Sequence, residues 1–237
     1  MSPPLFLVSG LPSGASFTLD GPEGHHAATV QRLRPGEPVL LGDGRGGTAS
    51  ARVTAVGRGT VDVEILSCGY VDPPARRVTV VQGIAKGDRG DLAVEMMTEV
   101  GVDEIVPWRA ARSVGKWRDD KPLSRWRSAA REAAKQSRRP WTPVVADPES
   151  TTQVAARLAG VRSLVLHEEA RARLSTVDLG DGPILLVVGP EGGIAPEELA
   201  AFEAAGAVPV RLGDPVLRTS TAGAAAVAAL SVRLGRW

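Results

Sequence analysis

The chain has 237 residues, enough for one large or two small domains with true cores. Its 28 basic and 27 acidic residues nearly cancel, and 43% of the residues are hydrophobic, the profile of a soluble globular protein. No apolar run approaches the roughly 20 residues that span a bilayer, and the opening Met-Ser-Pro-Pro-Leu-Phe-Leu-Val lacks the basic and long apolar regions of a secretory signal, so neither membrane attachment nor export is expected. The single Cys68 excludes an internal disulfide and fits a reducing cytoplasm; with only three His beside it, no metal is expected.

Residues 1–72 have the pattern of a small β-barrel. Short β-prone runs (Leu5–Val8, Ser16–Leu19, Pro38–Leu41, Ala49–Val56, Val61–Leu66) alternate with turn signals such as Leu-Pro-Ser-Gly and Gly-Asp-Gly-Arg-Gly-Gly. The one plausible helical turn runs from His25 to Leu33, and Gly21-Pro-Glu-Gly24 is read as a plain turn. The stiff Pro73-Pro74 pair marks a linker over residues 73–77.

From residue 78 to 237 strands and helices alternate, which predicts an α/β domain with a mostly parallel sheet. Strands are expected at Val78–Ile84, Glu104–Pro107, Ser163–Leu166, Ile184–Val188 and from Val208. Helices are expected over 88–101 with Leu92, Val94, Met96 and Met97 apolar, over 122–137, over 195–205 with Pro196 in its first turn and Gly206 as a stop, and over 220–234.

Charge is concentrated in one segment. Residues 109–139 hold eleven Lys or Arg against three acids, a net of +8. Trp108, Trp117, Trp126 and Trp141 lie among or beside them. Cations for phosphate and flat rings for bases are what a nucleic-acid face needs; a solvated helix with its tryptophans turned inward is the plainer alternative.

Two glycine-bearing loops each leave a short apolar strand: Gly189-Pro-Glu-Gly-Gly193, and Leu212-Gly-Asp-Pro-Val-Leu-Arg-Thr-Ser-Thr-Ala222. The first has neither the glycine spacing of a dinucleotide fingerprint nor the Lys-Ser/Thr of a phosphate loop. Two such loops on neighbouring strands can surround one small molecule with bare backbone groups, so a ligand pocket, and an enzyme, is the leading reading. Arg218 precedes a helix start, where the dipole favours acids. It is read as meeting a carboxylate or phosphate, or alternatively as pairing with Asp214.

Several ordered motifs carry a resemblance over nearly the whole chain: His26 with Val30-Gln-Arg-Leu-Arg-Pro-Gly36, Gly42-Asp-Gly44, Glu99-Val-Gly-Val-Asp-Glu-Ile-Val-Pro107, Arg112-Ser113, the Trp126 helix, Gln136-Ser-Arg-Arg139, Leu166-His167, and the two loops above. Together they resemble the bacterial 16S rRNA (uracil N3)-methyltransferases, the small-subunit methyltransferase E family within the trefoil-knotted SPOUT class. The resemblance implies a PUA-like RNA-binding β-barrel, then a knotted α/β domain that binds S-adenosylmethionine, in an obligate homodimer acting on 16S rRNA within the small ribosomal subunit. It implies a cofactor pocket of Leu166, His167, Gly189, Glu191, Gly192, Leu212, Gly213 and Leu217. Ser220, Pro215 and Met96 stand where that pattern usually has Glu, often Arg, and commonly Lys.

The chemistry so implied needs a positioned uracil, stabilised charge on its oxygens and a proton acceptor. Arg218 is the candidate catalytic residue, as a stabiliser and not as a base; Glu191 and His167 are candidate bases. Arg32, Arg34, Arg112, Arg131, Lys135, Arg138 and Arg139 are the candidate rRNA contacts, binding phosphates without reading sequence. The alternatives are another SPOUT enzyme that methylates the ribose 2′-oxygen, or a non-catalytic rRNA-binding assembly factor.

Overall fold

A computed structural model describes residues 3–115, 117 and 119–237. Two cations of the basic segment, Lys116 and Arg118, lie outside the described residues. The chain divides into two compact units, one of residues 1–73 with 134–142, the other of residues 74–133 with 143–237.

In the first unit, β1 (Leu5–Leu7) and β2 (Ser16–Leu19) precede a helical stretch, α1 (Gly21–His25) continued by a wider π turn over His26–Val30. Three further strands follow, β3 (Pro38–Gly42), β4 (Gly47–Val56) and β5 (Val61–Tyr70). They form one five-stranded sheet in the order β1-β3-β4-β5-β2, antiparallel except for the β1–β3 pair. Irregularities at Ser50/Ala51 and Val53/Ala55 bend the long β4–β5 ribbon. Phe6, Leu19, Leu41, Val53, Val61 and Val63 close its core. The Gly21-Pro-Glu-Gly24 segment is the start of a helix and not a plain turn: Pro22 is in the first turn, where its missing N–H has no intrahelical role, and the Gly24 N–H donates to the Asp20 carbonyl.

Residues 134–142 belong to this unit by direct pairing. The Gly46 N–H donates to the Pro140 carbonyl, Thr142 N–H to Gly44, and the Trp141 indole N–H to the Val71 carbonyl at 2.8 Å. Lys135 is buried and pairs with Glu23 at 3.2 Å.

In the second unit seven strands form a wholly parallel sheet: β6 (Val78–Gly83), β7 (Glu104–Trp108), β8 (Val144–Val145), β9 (Arg162–Leu166), β10 (Ala172–Arg173), β11 (Ile184–Val188) and β12 (Val208–Arg211). Their order is β10-β12-β9-β11-β6-β7-β8. The helices are α2 (Arg89–Glu99), α3 (Lys121–Gln136), α4 (Thr151–Leu158), α5 (Pro196–Ala204) and α6 (Thr219–Arg233). The division between the units falls near the end of α3.

Strand alternation sends side chains into two cores, as expected where helices cover both faces. Ile184, Leu186 and Val188 of β11 join Val94 and Met97 of α2, Trp126 of α3 and Val227 of α6 in one. Leu185 and Val187 join Val154 and Leu158 of α4 and Phe202 of α5 in the other. In α2 the buried face is Ala93, Val94 and Met97, while Leu92 is exposed and Met96 half-buried. Arg157 of α4 is held between Glu149 and Glu104 of β7; the hydrogen bonds to Glu149 foremost raise its guanidinium pKa above the ordinary value, against the opposing effect of burial.

The tryptophans do not form a base-stacking face. Trp108 and Trp126 are buried, Trp117 packs edge-on against Trp126 with ring centroids 4.9 Å apart, and Trp141 packs edge-on against Tyr70. Trp108, Trp117 and Trp126 serve the cores of the second unit, where their area stabilises most. Among the described residues no helix is long and apolar enough to cross a membrane.

Candidate active site

The carboxyl ends of β9, β11 and β12, three adjacent strands, open into one cleft of about 690 Å³. In an open parallel sheet this is where ligands bind, because the strand-to-helix loops diverge there. All eight residues expected to form the cofactor pocket line this cleft: Leu166 and His167 after β9, Gly189, Glu191 and Gly192 after β11, and Leu212, Gly213 and Leu217 after β12. Arg218 lines it as well.

Glycine is required at the first loop for two reasons. A Cβ at Gly192 would lie 2.9 Å from the Arg112 carbonyl oxygen, and Gly193 has φ +73°, in the left-handed region. The loop is also gripped from β6: a Cβ at Gly83 would meet the Pro190 nitrogen at 2.6 Å. The loop is therefore packed closely against Arg112, Ile194 and β6, and its glycines leave no room for a side chain at these approaches.

Charges of both signs surround it. Arg89, Arg112, Arg211 and Arg218 face Glu168, Glu169, Glu191 and Asp214 among the lining residues. Glu191 Oε1 accepts from the Lys86 N–H at 3.1 Å and lies 3.9 Å from Arg89. His167 Nδ1 accepts from the Glu169 N–H at 3.3 Å, which leaves Nε2 to carry the proton of the neutral ring. Asp214 pairs with Arg211 at 3.3 Å and with Arg173 at 4.0 Å, so the alternative pairing with Arg218 is not the one formed. Arg218 is the extended N-cap of α6, gives no side-chain cap, and its guanidinium has no ion pair among the described residues.

The other expected site residues divide. Arg112, expected on RNA, walls the cleft, its guanidinium 3.4 Å from the Gly192 carbonyl. Lys135 is turned inward onto Glu23, which removes it from any phosphate-facing set. Arg32, Arg34, Arg131 and Arg138 are exposed and Arg139 half-buried, all outside the cleft. Arg32 and Arg138 share a rare feature: both have φ +53°, the only non-glycine residues with positive φ among those described. Ser220, where the family pattern has Glu, is buried; Met96 packs on the core; Pro215 lines the cleft.

Two cleft supports have no signal in the sequence pattern. Glu198, expected only to favour the α5 dipole, is buried and accepts from the Ala195 and Ala111 N–H groups and the Thr151 hydroxyl, holding the Arg112 loop against α5. Gln82, buried at the end of β6, reaches Thr219. Among the described residues no cluster of three or more His, Cys, Asp or Glu could hold a metal ion.

Residues 72–231 match the RNA methyltransferase domain family, and residues 19–66 match the RNA methyltransferase PUA domain. The fold and cleft are thus those of an RNA methyltransferase with an N-terminal PUA-like domain. The chain is 49% identical over 243 residues to the ribosomal RNA small subunit methyltransferase E of Mycobacterium bovis, covering 98% of this chain and 93% of the relative. It is similar to the crystal structure of a ribosomal RNA small subunit methyltransferase E from Neisseria gonorrhoeae bound to S-adenosyl methionine (30% identity, TM-score 0.88, 98% of both chains). It is also similar to a Legionella pneumophila methyltransferase in complex with the same cofactor (27% identity, TM-score 0.85, 97% and 96% of the two chains). The chain belongs to the ribosomal RNA small subunit methyltransferase E family.

Proposed function

We propose that the chain methylates N3 of a uridine in 16S rRNA, using S-adenosylmethionine and giving 3-methyluridine, as a cytoplasmic homodimer that acts on the small ribosomal subunit. The observation that carries this reading is the cleft itself. It combines the tightly packed glycine-rich loop Gly189–Gly193 with four arginines and four acids, which suits a ligand bearing both an aminocarboxylate and a sulfonium. Relatives with S-adenosylmethionine bound support the same assignment.

When bound, the cofactor supplies a methyl group already activated on a positive sulfur, which leaves as a neutral thioether. The chain's own task is to hold the uracil, to take the N3 proton and to stabilise the charge that spreads to the ring oxygens. Arg218, unpaired and exposed at the cleft, provides the fixed positive charge for those oxygens or for the adjoining phosphate. His167, with Nδ1 accepting, presents a donor. That leaves the Glu191 carboxylate as the proton acceptor among the two candidate bases, steadied by the Lys86 N–H. A target uridine within folded rRNA would be turned out of its stack to reach this position.

Phosphate contacts are assigned to Arg32, Arg34, Arg138 and Arg139 of the first unit and to Arg131 of α3. The left-handed backbone of Arg32 and Arg138 supports this, because glycine would be less strained at both and an arginine there favours a role for the side chain. Nucleoside mass spectrometry on small subunits lacking the modification, incubated with the protein and S-adenosylmethionine, tests the proposal. 3-Methyluridine is the expected product; a 2′-O-methylated nucleoside, or no new methyl mark, would contradict it.

A further inference from the structure

Beneath the cleft, a short hydrogen-bond relay joins three segments that are far apart in sequence. Gln82 is fully buried, and its Nε2 donates to the Gly83 carbonyl at 3.2 Å and to Thr219 Oγ1 at 2.9 Å. Thr219 Oγ1 in turn donates to the Gly189 carbonyl at 2.7 Å. The two backbone carbonyls fix the polarity of the relay. Each can only accept, so Gln82 must present its NH₂ to Gly83, and the single Thr219 proton must go to Gly189. The opposite amide orientation would set oxygen against oxygen at Gly83.

Among the described residues the far end of the same amide has no partner. Gln82 Oε1 is buried and unsatisfied, and a Cβ on Gly223 would lie only 3.3 Å from it. A buried acceptor without a donor is destabilising, and an apolar residue of similar size would avoid that cost. The amide's hydrogen bonds are all made by its nitrogen. What it does is orient Thr219, which follows the Arg218 N-cap directly and holds Gly189, the first residue of the glycine-rich loop.

We propose that Thr219, oriented by Gln82, is a positioning residue for cofactor binding: it sets the spacing between the Gly189 loop and the start of α6, so that both loops and Arg218 meet one ligand. This rests on the reading of the cleft as the S-adenosylmethionine site. Thr219→Val keeps the shape and removes both the donor and the acceptor. Its dissociation constant for S-adenosylmethionine, measured by calorimetry, is expected to rise about tenfold, with the KM for the cofactor rising in step. Affinity for rRNA should stay within about twofold, since the arginines assigned to phosphate outside the cleft are not touched. Thr219→Ser restores the hydroxyl and should bring the constant back to within about threefold of the wild type. Gln82→Met leaves the Thr219–Gly189 bond in place and should give an intermediate loss. Wild-type affinity in Thr219→Val, or a Thr219→Ser as impaired as Thr219→Val, would overturn the inference. If Thr219→Val does not fold, wild-type affinity in Gln82→Met overturns it equally. Wild-type protein that binds no S-adenosylmethionine would instead overturn the cofactor reading, so the two failures are separable.

Discussion

The cleft of the second unit and the basic segment ending in the first are both rich in arginine, yet they hold it differently. In the cleft the frame is backbone: three strand-end loops, two of them glycine-bearing, held by Gln82, Thr219 and Glu198, with Arg218 without an acidic partner among the described residues. In the basic segment much of the charge is already answered. Arg125 is bonded to Asp91, Arg127 pairs with Asp147 at 3.0 Å, and Lys135 is buried on Glu23. A charge count over sequence therefore overstates what a surface can offer to RNA, whereas the glycine-bearing loops at strand ends do converge on one cleft. The proposed division of labour follows: the cleft performs the methyl transfer, and a smaller set of exposed arginines positions the rRNA.

The largest expected effect falls on the cleft. Arg218→Ala should lower the single-turnover rate of 3-methyluridine formation by about 100-fold, the usual size when one charge-stabilising group is lost. Nucleoside mass spectrometry at saturating rRNA and cofactor reads it, and a wild-type rate would remove Arg218 from the chemistry. Next is Lys135→Ala, which leaves the largely buried Glu23 without this cation. It should destabilise the first unit by about 3 kcal/mol in denaturant titration, because one member of a buried pair is lost. A loss of rRNA affinity with stability unchanged would instead return Lys135 to the RNA-facing set. Smallest is Arg32→Gly. Relief of the left-handed backbone should stabilise the fold by about 1 kcal/mol, while the slope of log affinity for rRNA against log salt should shrink by about 1. Stability and binding then move in opposite directions; a parallel fall in both would mean that Arg32 serves the fold.

The sequence pattern exposed the second unit well, because its signals are local. β11 is an unbroken apolar run, and α5 is bracketed by Pro196 and Gly206. The eight residues expected to hold the cofactor and Arg218 fall on one cleft because their loops leave adjacent strands. α4 is marked in the sequence by Ser150 and Gln153, which form a capping box at its start. β8 and β10, two residues each, carry no periodicity to detect. What could not be read were bonds between distant residues: Gln82 with Thr219, Glu198 with Ala111, and Lys135 with Glu23 are 137, 87 and 112 positions apart. Nothing in a local window says that a lysine in a basic helix will be buried, or that a first-turn glutamate will hold a loop.

The division of labour is tested most directly by two dissociation constants measured side by side, for S-adenosylmethionine and for small-subunit rRNA. They would be taken on the wild type, on Gly192→Val, whose side chain would press on the Arg112 backbone and the cleft floor, and on the double variant Arg32→Gln/Arg34→Gln. The expected result is a clean split: Gly192→Val loses cofactor affinity and keeps rRNA affinity, while the arginine variant does the reverse, by a margin that narrows as salt is raised. Loss of cofactor affinity in the arginine variant, or undiminished cofactor affinity in Gly192→Val, would contradict it.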